Sequence, residues 1–287
     1  MSTPTTFDPI QFKETTRAQW QKAAEAWNAW GSTLSTWLGP ATERMLDLAR
    51  VGPGSHVLDV AAGAGEQTLT TALRVGPEGR VLATDLAPNI LEFAARAARE
   101  AGLNQVETRA IDGERLDELP AETFDAAISR VGLIYFPDQQ RALAGVRHAL
   151  KPGGRFATIT YSTAERNGFF SLPVSIIRER AQLPPPLPGQ PGPFSLGTPE
   201  VLRSTLERAG FREIEVEVVE APLRLASRKD CVRFERESFG ALHQMLGGLS
   251  EQAQAEVWQE IEEALRRFET DGGFVGPCEL VLGSGVK

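Results

Sequence analysis

The chain has 287 residues, of which 41% are hydrophobic and 24% are charged. A chain of this length and composition buries a continuous core without disulfides or metals, which excludes a disordered protein, a collagen and a cysteine-stapled mini-protein. Thirty basic and thirty-eight acidic residues give a net charge of −8. This negative charge disfavours nucleic acids and anionic membrane surfaces as partners.

The sequence lacks the signals of a metal site, a secreted protein or a membrane protein. The two cysteines, Cys231 and Cys278, are far apart, and His56, His148 and His243 show no ligand spacing, so we expect no metal site. The first fourteen residues lack a basic segment followed by an apolar run, and no run of about 18 apolar residues occurs. We therefore expect a soluble cytoplasmic protein with two free thiols. Its oligomeric state stays open.

The first fifty residues are predicted to be helical. Their aromatic and leucine side chains recur at intervals of three, four or seven, which places them near one stripe of a helical surface. These residues are Trp20, Trp27, Trp30, Leu34, Trp37 and Leu38. Gly39-Pro40 predicts a break in the helical region. Either a helical arm packs this stripe on the main body, or some of the rings close over a ligand pocket.

From Gly52 onward, short apolar runs alternate with helical segments. The predicted strands are residues 57–60, 81–85, 106–110, 124–129 and 156–161, and the predicted helices are 68–74, 88–100 and 139–150. This alternation is typical of βαβ units, in which a parallel sheet is covered by helices on both faces.

The second half of the chain is predicted to complete this sheet. Six prolines make residues 183–194 irregular, Thr198-Pro199 begins a helix that ends at Gly210, and residues 212–220 alternate like an edge strand. Residues 232–268 are mostly helical, with an interruption at Gly247-Gly248, and 280–282 are a last strand. We therefore predict an α/β, Rossmann-like, doubly wound and mostly parallel seven-stranded sheet. Its parts are a helical cap (1–50), a core (51–222), a helical lid insertion (223–275) and the last core strand (276–287).

The first predicted strand is followed by a turn of small residues and then by a helix. Residues 57–68 read Val-Leu-Asp-Val-Ala-Ala-Gly-Ala-Gly-Glu-Gln-Thr. Small residues let the backbone approach a ligand closely, and a helix N-terminus offers unpaired N–H groups with positive partial charge. The turn is therefore a candidate ligand-binding loop.

Three acidic residues stand at or near the ends of the first three predicted strands. Asp59 can brace the turn and a ligand ammonium, Asp85 can accept both ribose hydroxyls, and Asp112 can accept from an adenine amino group. Each acid alone has a plainer interpretation as a helix cap or a solvated turn residue. Because ligands of open α/β sheets bind outside the carboxyl ends of the strands, the three together predict a cationic adenosine ligand without phosphates. S-adenosylmethionine (SAM) fits this description.

A dinucleotide site is the main competing interpretation of the turn. A G-x-G-x-x-G/A fingerprint that begins at Gly63 requires glycine or alanine where Thr68 stands. This misfit disfavours an NAD(P)-dependent oxidoreductase, which we keep as the alternative. A binding protein without catalysis and a methyltransferase that acts on a protein are further alternatives.

The chain resembles the class I SAM-dependent methyltransferases, of the group similar to the ubiquinone/menaquinone-biosynthesis C-methyltransferases (methyltransferase type 11). The matching segments are residues 57–65, 81–86, 110–113, 124–138 and the Leu-Lys-Pro-Gly-Gly run at 150–154. The resemblance covers residues 50–160 and weakens toward 212–219. Beyond Tyr161 no subfamily is recognised.

The resemblance implies SAM-binding roles for residues at four strand ends. They are Ala61, Gly63 and Gly65 at the methionine portion, Asp85 at the ribose, Leu86 on the adenine, Asp112 and Gly113 at the adenine amino group, and Ser129 and Arg130 between methionine and substrate. Ala61 departs from the family pattern, which has glycine at this position.

Methyl transfer from a sulfonium needs little acid–base chemistry, because the leaving group is already activated. The protein must align the nucleophile, the methyl carbon and the sulfur and exclude water. A general base is needed only if the acceptor loses a proton, and His243 and Tyr135 are the candidates. We expect in-line SN2 transfer to a small acceptor, which the tryptophans suggest is apolar or aromatic.

Overall fold

The computed structural model describes residues 7–187 and 189–287, which form a large and a small β-sheet. The strands in chain order are β1 (His56–Val60), β2 (Arg80–Asp85), β3 (Val106–Ala110), β4 (Phe124–Arg130), β5 (Leu150–Tyr161), β6 (Arg212–Glu220), β7 (Leu223–Leu225), β8 (Glu269–Thr270), β9 (Gly273–Gly276) and β10 (Glu279–Val286). The large sheet has the order β3-β2-β1-β4-β5-β10-β6. Strands β1 to β5 are parallel, and β10 lies antiparallel between β5 and β6. The predicted fold class is confirmed.

Helices cover both faces of the large sheet. They are α1 (Pro9–Ala29), α2 (Gly31–Leu48), α3 (Glu66–Val75), α4 (Pro88–Glu100), α5 (Gln139–Ala149), α6 (Gly168–Arg180), α7 (Pro199–Arg208), α8 (Arg228–Ser238), α9 (Gly240–Leu246) and α10 (Glu251–Leu265). On one face, a Cβ at Gly283 of β10 would lie 2.7 Å from Leu202 of α7. On the other face, Arg155 of β5 donates to the carbonyl of Leu48 at the end of α2 (2.9 Å). The sheet is therefore doubly wound.

The N-terminal part is helical, as predicted, over its described residues. The Asp8 carboxylate caps α1 by accepting from the N–H groups of Ile10 (2.9 Å) and Gln11 (3.1 Å), and Trp30 separates α1 from α2. The first six residues, which belong to both the predicted cap and the segment searched for a signal peptide, lie outside the described residues.

The predicted helix break at Gly39-Pro40 is wrong, because α2 continues through both residues. Pro40 and Thr36 are exposed, so water can reach the Thr36 carbonyl, which loses its backbone donor at Pro40. On the opposite side of the helix Leu38 and Ala41 are buried in the core. This packing holds the helix together where local propensity disfavours it.

Two parts of the fold were not predicted. Helix α6 contains Gly168 and Pro173, which disfavour helix, and it forms where Phe169 and Phe170 are buried. The small sheet has the order β7-β9-β8, and its strands of two to four residues are too short to show an alternating pattern. The other elements of the second half are confirmed, including the irregular segment 183–194 apart from Pro188, which lies outside the described residues.

Strand β6 is the edge strand of the large sheet, as predicted. Every helix within residues 7–187 and 189–287 is too short or too polar to cross a bilayer. The division of the chain at residues 50, 222 and 275 stays a prediction, which limited proteolysis can test.

Candidate functional site

A cavity of about 90 Å³, partly open to solvent, lies at the carboxyl ends of β1, β2, β3 and β4. Helix α1 forms the opposite wall. The lining residues are Lys13, Thr16, Trp20, Trp27, Ala61, Ala62, Gly63, Gln67, Thr84, Asp85, Leu86, Ile90, Ile111, Asp112, Gly113, Arg130, Val131, Gly132, Tyr135, Phe136 and Pro137.

The turn between β1 and α3 has the left-handed backbone that its small residues predict. Ala61, Gly63 and Gly65 have φ values of 58°, 59° and 92°. Gly65 precedes α3 and lies behind the cavity, where a Cβ would be 2.5 Å from the Cβ of Ala94 on α4. Ala61 and Gly63 line the cavity. The turn therefore presents backbone to the cavity, and Gly65 serves close packing.

Asp85 joins this turn to the next one. Its Oδ2 accepts from the N–H of Gly63 (3.0 Å), and its Oδ1 accepts from the N–H of Ala87 (2.9 Å). Burial raises the pKa of Asp85, against the effect of these backbone donors. A carboxylate has about four acceptor positions, so Asp85 keeps capacity for a ligand in the cavity it lines.

Asp112, after β3, is held by the chain on both of its oxygens. Its Oδ1 accepts from the N–H of Glu114 (3.0 Å), and its Oδ2 accepts from Nζ of Lys13 on α1 (2.7 Å). The neighbouring Gly113 leaves room for the ring of Phe136, because a Cβ at position 113 would lie 2.5 Å from it. Lys13 was missed by the sequence analysis, although it lies seven residues before Trp20, which is itself seven before Trp27.

Asp59 does not line the cavity, contrary to its predicted contact with a ligand ammonium. It is fully buried, and it accepts from Thr68 Oγ1 (2.6 Å) and Gln67 Nε2 (3.3 Å). Burial raises its pKa to about 6, although these two donors lower it. Gln67 lines the cavity and donates to Asp59, so Asp59 is connected to the cavity only through Gln67.

Ser129 and Arg130, at the end of β4, differ in their access to the cavity. Arg130 lines it and is buried, where it forms an ion pair with Glu66 and donates to Thr42 Oγ1 (3.0 Å). Ser129 is buried behind it, and its hydroxyl has no hydrogen-bond partner among the described residues. The charge of Arg130 is therefore already compensated by a carboxylate.

The two candidate bases lie in different places. Tyr135 lines the cavity, packs edge-on against Trp20 at 6.0 Å between ring centroids, and has its pKa raised by burial. The structure places His243 outside the cavity, on the exposed side of α9, where its ring contacts the Arg236 carbonyl and Trp258. The helical spacing of residues 232–268 could not reveal which way this ring points.

The tryptophan stripe serves both of the roles considered. Trp37 packs in the core, edge-on against Phe169 (5.2 Å) and Phe234 (6.1 Å). Trp20 and Trp27 line the cavity and contact each other at 5.2 Å between centroids. Within the described residues, no group of three or more His, Cys, Asp or Glu side chains is arranged to hold a metal.

The doubly wound sheet, with an antiparallel strand next to its edge and a cavity at the carboxyl ends of β1 to β4, is the fold of the class I SAM-dependent methyltransferases. Residues 39–173 match the model of the ubiE/COQ5 methyltransferase family. The resemblance to class I SAM-dependent methyltransferases is thereby confirmed.

Curated relatives match part of the chain. Aklanonic acid methyltransferase DauC from Streptomyces sp. is 34% identical over 118 residues, which are 41% of this chain and 53% of that protein. Demethylmenaquinone methyltransferase from Symbiobacterium thermophilum is 30% identical over 168 residues, 56% of this chain and 66% of that protein. The chain thus spans about half to two thirds of the length of these relatives.

A solved structure shares the fold. The crystal structure of a putative methyltransferase from Bacillus halodurans superposes with a TM-score of 0.57 and 22% identity, over 86% of this chain and 98% of that one. Because the identity is low, this likeness concerns the fold alone.

Proposed function

We propose that this protein transfers a methyl group from SAM to a small, apolar or aromatic acceptor by in-line SN2 displacement. The observation that carries the proposal is the charge of the cavity. Asp85 lines it with a carboxylate that has no cationic partner among the described residues, while Lys13 is paired with both Asp112 and Glu114, and Arg130 is paired with Glu66. Such a lining fits a cationic adenosine compound and does not offer free cations to phosphates.

The residues at or just after the ends of β1, β2 and β3 would contact the parts of SAM in order. Asp85 would accept from the ribose hydroxyls, and Asp112 from the adenine amino group, with Leu86 beside the ring. Ala61 and Gly63 would face the methionine portion through their backbone, and Gln67 would offer its amide oxygen, since its nitrogen donates to Asp59. SAM supplies a methyl group on an activated sulfonium. The chain then has to align the acceptor and exclude water.

Much of the cavity lining is aromatic. Trp20, Trp27, Tyr135 and Phe136 line it, together with Val131. Aromatic walls bind flat, apolar molecules well and exclude water. The two relatives are named for the acceptors aklanonic acid and demethylmenaquinone, and these names support a small-molecule substrate.

Tyr135 is better placed as a hydrogen-bond donor than as a general base. Burial raises the pKa of its hydroxyl, which therefore keeps its proton near neutral pH. A protonated phenol can orient an oxygen of the acceptor and stabilise negative charge on it. We therefore propose that the acceptor reaches the site already nucleophilic, having lost any proton to water before it binds, and that His243 takes no part.

The comparisons give no support to the oxidoreductase alternative. Thr68, at the third position of the dinucleotide fingerprint, is buried, and its hydroxyl is bound to Asp59. The wall formed by α1 favours a small acceptor over a protein. The two free and buried cysteines agree with a cytoplasmic location, which belongs to the same proposal.

Calorimetry with SAM, S-adenosylhomocysteine, NAD and NADP tests the cofactor. We expect the two adenosyl compounds to bind. Asp85→Asn should weaken the binding of both by tenfold or more, whereas Asp271→Asn, at an exposed position, should leave both affinities unchanged. Transfer of labelled methyl from SAM to quinones and aromatic polyketides then tests the reaction. Binding of a nicotinamide dinucleotide in place of SAM would overturn the proposal.

A further inference from the structure

We propose that Lys13 is a positioning residue for the nucleoside end of the cofactor. It holds Asp112 and Glu114 together and ties α1 across the cavity, so that closure of α1 and binding of the cofactor stabilise each other. This inference rests on the proposed function, because it assigns Asp112 to the adenine.

The geometry of the Lys13 ammonium carries the inference. Nζ lies 2.7 Å from Oδ2 of Asp112 and 2.6 Å from Oε2 of Glu114, so one cation serves two carboxylates. The Lys13 side chain is 26% exposed and that of Glu114 is 11% exposed, which limits screening by water and salt. Burial opposes the ammonium form of Lys13, but the two carboxylates outweigh it, and the pKa of Lys13 lies above its usual value.

Both acids are fixed on the sheet side of the cavity. Besides the bond between Asp112 and the Glu114 N–H, Oε1 of Glu114 accepts from the N–H of Asp138 (2.8 Å). Asp138 directly follows Phe136 and Pro137, which line the cavity. Asp112 and Glu114 are therefore held in place on the sheet side of the cavity, and Lys13 is the residue through which α1 binds to them.

Helix α1 touches the cavity with one face. Lys13, Thr16, Trp20 and Trp27 are spaced by three, four and seven residues, and all four line the cavity. A ligand in the cavity contacts this face directly, so it favours the position of α1 against the cavity, which we call closed. Lys13 favours the same closed position. Because the ligand and Lys13 stabilise one state of α1, each strengthens the effect of the other.

Without Lys13, the two carboxylates lose their shared counterion and repel each other. Asp112 then turns away from the position that suits the adenine amino group, and α1 keeps its tie to α4, where Asn89 donates to the Gln21 carbonyl (2.8 Å). We therefore expect the loss of Lys13 to affect cofactor affinity and closure of α1, and to leave the folded state intact.

Three variants test this inference: Lys13→Met, Lys13→Arg and, as the matched control, Lys22→Met on the exposed side of the same helix. The readouts are calorimetry with S-adenosylhomocysteine and hydrogen exchange of α1 with and without this ligand. Lys13→Met should bind roughly tenfold more weakly and lose the ligand-dependent protection of α1. Lys13→Arg should retain most of both, and Lys22→Met should match the wild type. In turnover, Lys13→Met should raise KM for SAM and leave kcat nearly unchanged.

The outcomes separate this inference from the proposed function. If Lys13→Met binds as tightly as Lys22→Met and keeps the protection of α1, the inference is overturned while the cofactor assignment stands. If the wild type does not bind S-adenosylhomocysteine, the proposed function fails instead. Thermal unfolding of each variant establishes that it is folded under the conditions of the assay.

Discussion

The methyl group of Ala61 occupies the space that a side chain at position 132 would need. A Cβ built on Gly132 would lie 2.5 Å from the Cβ of Ala61 and 3.0 Å from Oγ of Ser129. Ala61 is also a non-glycine residue in the left-handed region, with φ of 58°. The alanine that departs from the family's glycine thus requires a glycine seventy-one residues later in the chain.

This contact predicts a strong coupling between positions 61 and 132. Gly132→Ala should cost about 1–3 kcal/mol in the free energy of unfolding, because both backbones are fixed at strand ends. Ala61→Gly should be nearly neutral, since relief of the left-handed strain offsets the greater entropy of glycine in the unfolded chain. The double variant should recover most of the loss in denaturant unfolding. Gly52→Ala, where a Cβ meets no atom within 4 Å, is the control. Additive effects at positions 61 and 132 would contradict the contact.

Asp59 should make the stability of the protein depend on pH in an unusual direction. Its folded-state pKa of about 6 lies above its unfolded value of about 3.9, so between these pH values the folded state holds a proton that the unfolded state has released. The contribution of Asp59 to the free energy of unfolding therefore falls as the pH rises from 4 to 6 and is constant above that, for a total of roughly 3 kcal/mol.

Asp59→Asn should remove this loss. The free energy of unfolding of Asp59→Asn relative to the wild type should improve by roughly 2 kcal/mol between pH 4 and pH 7, measured by urea unfolding at both values. Asp271→Asn, on an exposed loop, controls for the general effect of pH. If the difference in the free energy of unfolding between Asp59→Asn and the wild type is the same at both pH values, burial does not raise the pKa of Asp59.

Removal of Glu66 should be costly because it leaves the buried guanidinium of Arg130 without its carboxylate. We expect Glu66→Ala to lower the free energy of unfolding by about 3 kcal/mol or more, and the double variant with Arg130→Met to recover part of this loss. Glu107→Ala breaks an exposed pair with Arg109 and should cost less than about 1 kcal/mol. Equal effects of Glu66→Ala and Glu107→Ala would contradict the burial of Arg130.

Tyr135→Phe distinguishes a hydrogen-bond donor from a general base. Loss of a donor should reduce kcat severalfold and leave the pH profile of kcat unchanged, whereas loss of a base costs about 10²–10⁴-fold and removes a limb of that profile. Tyr161→Phe is the matched control, because Tyr135 and Tyr161 are the two tyrosines of the chain and Tyr161 is buried among aromatic rings. A large loss of kcat with an altered pH profile would assign the base role to Tyr135.

The sheet, the position of the cavity and both carboxylates that line it could be predicted from the sequence. Alternating strands and helices, Pro88 at the start of α4 and the Thr198 cap of α7 are local signals, and each element forms where its own residues favour it. Because parallel strands end at one edge of the sheet, Asp85 and Asp112 could be placed at a common site from their positions in the chain.

Which of these residues face the cavity, and which helix covers it, could not be predicted, because both depend on how the chain packs in three dimensions. Helix α2 passes Pro40 because its buried side packs on the sheet, and Asp59 lies behind Gln67 because the first turn of α3 folds over it. The ion pairs of Lys13 join residues about a hundred positions apart. Periodicity reports only neighbours along the chain, whereas side-chain direction, burial and such pairs depend on groups that meet after the chain has folded.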